Sequence, residues 1–516
     1  MQNAFYRHNL HQNSAYGYAL LLILAMTAWH LILAGRVNLS VDEAHYALYG
    51  LKLDWSYFDH PPMVGWLNAI ATYFSHSDFG LRVIPITFFA ASNFVLYHVA
   101  CRLYPSFRWI GFWTLALVNS AFMFELLATS MLPDTPLMFA SLMAVWHLLN
   151  LRDASEQRHS TLKYWLWLGF WIGIAGLSKY TSVILIASLV LIVLLERRWN
   201  WLWDKGLWFA IVLAGIMITP VLYWNATHDW ISFLYQIHHG TYNQDWSWVR
   251  VLSTQLAQFA LYTPTLYLLG AWLMLSAWVS HSPSNKLLAA FSLPTVILFA
   301  MNSGHEMSLP HWTQLAWLFI APAVVFWVWQ HWASKALRWF IYLSSSVSLI
   351  MVIILNSQLY TPWMPVKSKD NPVHELHGWQ QAVNEAISLQ NQHPNTALFA
   401  ANWSQASRIG WYAYPQPVYV TDNRFDQFDL WFGNPKQGSN GIVIVPSYES
   451  QDLKLNQPGH FKTCQLAKTL PIQAHHDTIV TYRLFYCQDF EAPSYSGWAL
   501  KLPIVQQVQT LQAQTQ

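Results

Sequence analysis

The sequence predicts a polytopic α-helical membrane protein of about eleven transmembrane helices, followed by a small C-terminal α/β domain. Three observations predict it. Charged residues make up only 10% of the 516 positions, against roughly 25% in soluble domains. Apolar runs recur at the length needed to cross ~30 Å of hydrocarbon. Near Val366 the character changes to polar sequence with short β-rich runs.

In chain order, residues 1–17 are a short polar lead containing Arg7. The expected spans are 18–35, 81–101, 109–124, 133–150, 164–178, 180–196, 207–224, 252–279, 287–302, 311–330 and 339–356. The runs on either side of Ser178 and Lys179 almost merge. The first run lacks a convincing small-residue cleavage site after Leu33, so it reads as an uncleaved anchor. The 31 Trp residues suit belts at the membrane interfaces.

Lysine and arginine set the orientation. Arg7, Arg102, Arg108, Arg152, Arg158, Lys163, Arg197, Arg198, Lys205, Lys286, Lys335 and Arg338 fall at one set of span ends. The opposite ends hold only Arg36, Lys52, Arg82, Lys179 and Arg250. The first set is therefore expected in the cytoplasm. An odd number of spans then puts the loop 36–80 and the C-terminal domain outside. Acidic residues show the reverse bias. Asp42, Glu43, Asp54, Asp59, Asp78, Glu125, Asp134, Asp229, Asp245 and Glu306 fall at outer ends. Acidic residues do not set topology, so an outer-face site is the expected cause.

In the C-terminal region, His374 to Gln392 reads as a helix. Ala397–Ala400, Pro417–Val420 and Gly441–Val445 read as strands, and Phe461–Leu466 with Thr478–Cys487 as a hairpin. Cys464 and Cys487 both lie here and are able to pair outside the cytoplasm. The expected organisation is a membrane domain over residues 1–360, an α/β domain over 366–490 and a loosely ordered polar tail over 491–516. A net charge of +2 without a basic stripe argues against a nucleic-acid partner.

The chemistry concentrates in VDEAHYALYGLKLDWSYFDHPP, residues 41–62. Asp42 and Glu43 are adjacent, so they do not share a helix face and are expected to have different tasks. One deprotonates a hydroxyl; the other binds a sugar hydroxyl or a metal. His45 lies three residues after Asp42, on the same helix face. Glu43 and His45 are the candidate ligands should a divalent cation be used; no cofactor is otherwise assigned. Asp59 and His60 are candidate substrate-binding residues, with His60 equally readable as structural. Pro61 and Pro62 fix the entry of Met63–Phe74, an amphipathic helix suited to the membrane surface.

Outer-end cations are candidates for a lipid phosphate: Lys179, with Arg82 and Lys52 competing. Lys179 also reads as a residue snorkelling to the interface. Asp134 opens a span as either a helix N-terminal residue or a site residue. His305 and Glu306, in GHEMSLPHW, make a further polar knot and candidate substrate contact. No G-x-G-x-x-G or P-loop is present.

The ordered set resembles bacterial membrane glycosyltransferases of the superfamily that holds protein O-mannosyltransferases and the lipid A aminoarabinose transferase (the GT-C type). The resemblance rests on DEAHYALYGLKLDWSYFDHPPMVGWL, GLSKYTSV, WNATHDWISF, HELHGWQ and NRFDQFDLWFG. It implies transfer of a sugar from a polyprenyl monophosphate to a hydroxyl of lipid A, a surface glycan or a protein, at the bacterial inner membrane. It implies Asp42 as the base and Asp134 as a second acidic position. It also implies that no nucleotide site is needed and that transfer inverts the anomeric carbon. A polyprenyl-linked sugar transporter and a surface-polysaccharide polymerase or ligase are the competing readings. A transporter would carry its charges mid-span.

Overall fold

The computed structural model describes residues 14–241, 245–364, 373–433, 435–449, 461–474, 477–492 and 495–514. Arg7, which contributes to the orientation argument, lies outside them. Helices stand at every expected span position. They are α1 (Ser14–Leu33), α4 (Asp78–Leu103), α5 (Ile110–Asn119) with α6 (Phe122–Thr129), α7 (Asp134–Glu156), α8 (Leu162–Ser178) and α9 (Val183–Leu195). Then come α10 (Lys205–Thr227), α12 (Trp248–Leu261) with α13 (Pro264–Ser276), α14 (Pro283–Asn302), α15 (Gln314–Gln330) and α16 (Lys335–Tyr360). By length and composition, six helices among the described residues are able to cross a membrane whole. The number rises to eight if each bent pair is one span.

The bends have local causes. Between α12 and α13 the axis turns by 117°. Pro264 cannot continue α12, and Thr263 takes a left-handed φ of 68° while its side chain caps Leu266 N–H. Between α5 and α6 the turn is 81°.

Two compact units emerge, and neither is continuous in sequence. One comprises 1–32, 82–222 and 236–355. Its core runs along α15, where Trp317 is fully buried and donates to Gln258 Oε1 at 3.2 Å. The other comprises 33–81, 223–235 and 356–516. It holds α2 (Val41–Leu51), α3 (Met63–Phe74), the start of α11 (Ile231–Thr241) and the C-terminal domain.

That domain carries α17 (Trp379–Gln392), β1 (Thr396–Ala400), α18 (Trp403–Ala413), β2 (Val418–Val420), α19 (Gln427–Phe432) and β3 (Asn440–Pro446). It continues with β4 (Phe461–Ala474), β5 (Asp477–Phe490) and α20 (Pro503–Gln514). The sheet order is β2-β1-β3-β5-β4. β1 pairs in parallel with β2 and β3, and the expected β4–β5 hairpin is antiparallel. Cys464 faces Cys487 across that hairpin, and the two are disulfide-bonded. The expected helix from His374 begins instead at Trp379, after Gly378 takes a left-handed φ of 84°. The expected loose tail folds: Val505 of α20 is buried, and Ile504 N–H donates to Asp229 Oδ2 at 2.6 Å.

The loop 36–80 is seated on this C-terminal domain. Leu48 of α2 is buried in the domain's own apolar core, with Trp379, Ile409 and Val418. Leu39 N–H donates to Tyr412 Oη, and Asn38 N–H donates to the Leu376 carbonyl. Asp78 accepts from Trp411 Nε1 at 2.8 Å and Tyr412 Oη at 2.7 Å. Helices α2 and α3 pack closely because Gly50 lacks a side chain: a Cβ there would lie 2.7 Å from the backbone of Asn68 and Ala69. Met63–Phe74 forms the expected helix. It buries Val64, Gly65, Asn68 and Ala71 and turns Ile70, Tyr73 and Phe74 outward, as an interfacial helix would.

Candidate functional site

Asp42 lies in the first turn of α2 and is half-buried. Glu43 beside it is buried, and its carboxylate accepts from Ser40 N–H at 3.0 Å and Ser40 Oγ–H at 2.9 Å. This is the returning half of a capping box, in the pattern Ser-x-x-Glu. The adjacent carboxylates therefore do have different surroundings, and Glu43 Oε2 closes the helix N-terminus.

His45, one turn on, is buried and packed edge-on against Trp403. Its Nδ1 lies 3.0 Å from Ser407 Oγ and its Nε2 3.1 Å from Tyr49 Oη. Burial lowers its pKa to about 4, so the ring is neutral near pH 7. Both nitrogens are thus engaged by protein groups, and Glu43 Oε2 closes the cap. Among the described residues, no three His, Cys, Asp or Glu side chains gather as a metal site.

Tyr49 Oη donates a short hydrogen bond to Asp59 Oδ1, and Asp59 Oδ2 lies 3.1 Å from His60 Nδ1. Burial works against ionisation of Asp59. It is outweighed by the charge and hydrogen bond of His60, then by His45 and Tyr49, which hold Asp59 below the usual carboxylate range. Burial and the Asp59 charge push the Tyr49 phenol well above its ordinary range. The ring of Tyr49 stacks on Tyr57 at 3.7 Å.

Lys52 caps the C-terminal end of α2 and sits 4.4 Å over the Phe432 ring, a cation–π contact. Asp54 accepts from Trp224 Nε1 at 2.9 Å, and Trp224 stacks on His228. Phe58 N–H donates to Gln427 Oε1 at 2.7 Å.

The other candidates lie in the helical unit. Lys179 Nζ is 2.6 Å from Asp134 Oδ2, and both residues are buried. Gln314 Nε2 donates to Asp134 Oδ1 at 2.9 Å, while Gln314 Oε1 is buried without a partner among the described residues. Asp134 borders a small cavity walled by Thr181, Phe291, Thr295, Phe299 and Trp312. Arg82 is buried near the start of α4. His305 and Glu306 follow α14, with the His305 ring edge-on to Trp246.

The structure thus joins Asp59, His60 and His45 in one network, and Lys179 with Asp134 in another. It also adds residues that no sequence motif singled out: Tyr49, Ser407, Gln427 and Gln314. Tyr49 was legible, because His45 and Tyr49 stand four apart on α2. Ser407, Gln427 and Gln314 are distant in sequence from their partners, and no local pattern marks them.

Residues 59–224 match the family model described as dolichyl-phosphate-mannose-protein mannosyltransferase. The chain is also similar to the lipid A galacturonosyltransferase RgtD of Rhizobium johnstonii, 24% identical over 389 residues, which is 72% of this chain and 78% of that protein. The family match and this relative support a membrane glycosyltransferase of the GT-C type. Its fold is like that of ArnT from Cupriavidus metallidurans. The TM-score is 0.59 at 14% identity against the apo state. It is 0.62 at 12% identity against the form bound to undecaprenyl phosphate. Each comparison covers 92% of this chain and 98% of that one. At such identity the likeness is one of fold. The chain is a glycosyltransferase with helices long and apolar enough to cross a membrane.

Proposed function

We propose that the chain transfers a sugar from a polyprenyl monophosphate to a hydroxyl of an envelope acceptor, such as lipid A, a surface glycan or a protein. The observation that carries this reading is Asp42. It is a half-buried carboxylate on the first turn of a capped helix, next to a span, in a chain of this superfamily. In this reading Asp42 takes the acceptor hydroxyl's proton. The oxygen attacks the anomeric carbon, and the bond from that carbon to the phosphate oxygen breaks with its electron pair. Polyprenyl phosphate leaves, and the carbon inverts. Cations stabilise the leaving phosphate, so no general acid is required. Lys179, Arg82 and Lys52 are the proposed cations, and Asp59, His60, Asp134, His305 and Glu306 the proposed substrate contacts. That RgtD is a lipid A galacturonosyltransferase supports a lipid acceptor. The ArnT form bound to undecaprenyl phosphate supports the donor class.

The proposed organisation keeps residues 1–360 as the transferase domain, with its N-terminus cytoplasmic, and 366–490 as a domain on the outer face. Mass spectrometry of lipid A, surface glycan and envelope proteins from a deletion strain tests the proposal. A hexose or pentose missing from one of them, and restored by the wild-type chain but not by Asp42→Asn, is the expected result. Identical envelopes overturn it.

A further inference from the structure

The network around His45 runs from the C-terminal domain to the Asp59–His60 pair. Ser407 lies on α18, His45 and Tyr49 on α2, and Asp59 with His60 on the loop before α3. Each successive pair is in hydrogen-bond contact. Ser407, His45 and Tyr49 are buried, while the His60 side chain keeps 16% of its surface exposed. Among the described residues, the side-chain hydrogen bonds of His60 are made at Nδ1, with Asp59 and Tyr46.

Proton counting gives this chain a direction. A neutral imidazole has one donor and one acceptor nitrogen. If Ser407 Oγ–H donates to His45 Nδ1, then His45 Nε2–H donates to Tyr49 Oη. The single Tyr49 proton is then left for Asp59. Ser407 Oγ also lies 2.7 Å from the Trp403 carbonyl. If Ser407 donates there instead, His45 donates from Nδ1 and draws the Tyr49 proton to Nε2, away from Asp59. The orientation of one hydroxyl on the C-terminal domain therefore decides whether Asp59 keeps its Tyr49 donor.

We propose that Ser407, His45 and Tyr49 are positioning residues: they fix the Asp59 carboxylate, and through it hold the His60 ring with Nε2 turned outward as a hydrogen-bond acceptor. This rests on the reading of His60 as a substrate contact, and it gives the C-terminal domain a role in setting the site. An ionised Asp59 draws the Nδ1 proton of His60, which leaves a lone pair at Nε2. The charged and titratable groups facing the network are Asp59, His60, Tyr46, Tyr57 and Arg424. The neutral state of His45 that burial enforces is the state in which the count applies.

The test is diethylpyrocarbonate labelling of the purified full-length protein across pH 5 to 8, with His60 read by peptide mass spectrometry. The reagent attacks an accessible, unprotonated imidazole nitrogen, so the readout is independent of turnover and of the donor sugar. Wild-type His60 is expected to label to a plateau. Tyr49→Phe removes a donor that offsets the Asp59 charge. The profile should then move to higher pH by about 0.5 unit or more, with the plateau rate unchanged. Ser407→Ala should move it the same way, and Ser407→Thr, which keeps the hydroxyl, should restore it. If Tyr49→Phe does not fold, as judged by melting temperature, the two Ser407 variants decide. A His60 that never labels, profiles that coincide, or a change in plateau rate without a change in midpoint each overturn the proposal. A shifted profile in a protein that transfers no sugar leaves the relay standing and removes the proposed reaction instead.

Discussion

Asp42 is the residue on which the proposed chemistry turns. Asparagine keeps its size and much of its hydrogen bonding but cannot take a proton. Asp42→Asn is expected to lower sugar transfer by ~10²–10⁴-fold with an unchanged melting temperature. Near-normal transfer by the folded variant would remove Asp42 from the mechanism. Lys179 and Asp134 are a buried ion pair. Removing one partner leaves an uncompensated charge, so Lys179→Met should cost about 3–5 kcal/mol, while Lys179→Met with Asp134→Leu should cost much less. Thermal unfolding of both variants distinguishes them, and equal losses would argue against the pair. His45 makes a pH prediction. Its folded pKa lies near 4, below the ~6.5 of a free imidazole, so the unfolded chain binds more protons between those values. Its contribution to stability is full above about pH 6.5 and falls as pH drops toward 4, by at most about 3 kcal/mol. Melting temperature between pH 7 and 4.5 should fall more steeply for wild type than for His45→Gln; parallel curves would refute this.

At the scale of elements, the pairing of α2 with α3 carries the loop that holds Asp42 and Asp59. Asn68 Nδ2 donates to the Tyr46 carbonyl at 2.8 Å, and Tyr57 Oη donates to the Tyr49 carbonyl at 2.9 Å. Gly50 is the point of closest approach, and what a side chain would meet there is backbone, which cannot rotate aside. Gly50→Ala is therefore expected to destabilise by about 1–3 kcal/mol and to disturb the Tyr49–Asp59 contact with it. A calorimetric melting temperature within error of wild type would contradict the close packing. Much of this element-level structure was legible. The alternation and turn residues of the C-terminal region marked all five strands, and Cys464 with Cys487 fell in the two that pair. The capping box at Ser40 and Glu43 came to light only in the structure, and it explains why Glu43 differs from Asp42.

For the whole molecule, the charge asymmetry of the span ends sets a prediction of orientation. Reporter fusions at Ser155 and Ser439 should place the first on the cytoplasmic side and the second outside. A cytoplasmic reporter active at Ser439 would overturn the outer-face site. Folding groups residues 33–81 and 223–235 with 356–516, so the loop expected to belong to the membrane domain has Leu48 in the core of the C-terminal domain.

The sequence by itself determined the class. Scarce charge and long apolar runs leave helices in a bilayer as the favourable solution, because backbone groups in lipid must be satisfied within each segment. It also determined where the carboxylates gather, since a charge near hydrocarbon is costly and stands out against an apolar chain. Tertiary structure alone decided what those groups touch. Ser407 meets His45 across 362 positions, Gln427 meets Phe58 across 369, and Gln314 meets Asp134 across 180. Helical and strand periodicity reports which face of an element is apolar, but it does not report which distant hydroxyl or amide comes to lie against that face. The first two contacts arise only when the apolar faces of the α/β domain and the opening loop are buried together, and the third only when α7 and α15 pack within the helical unit.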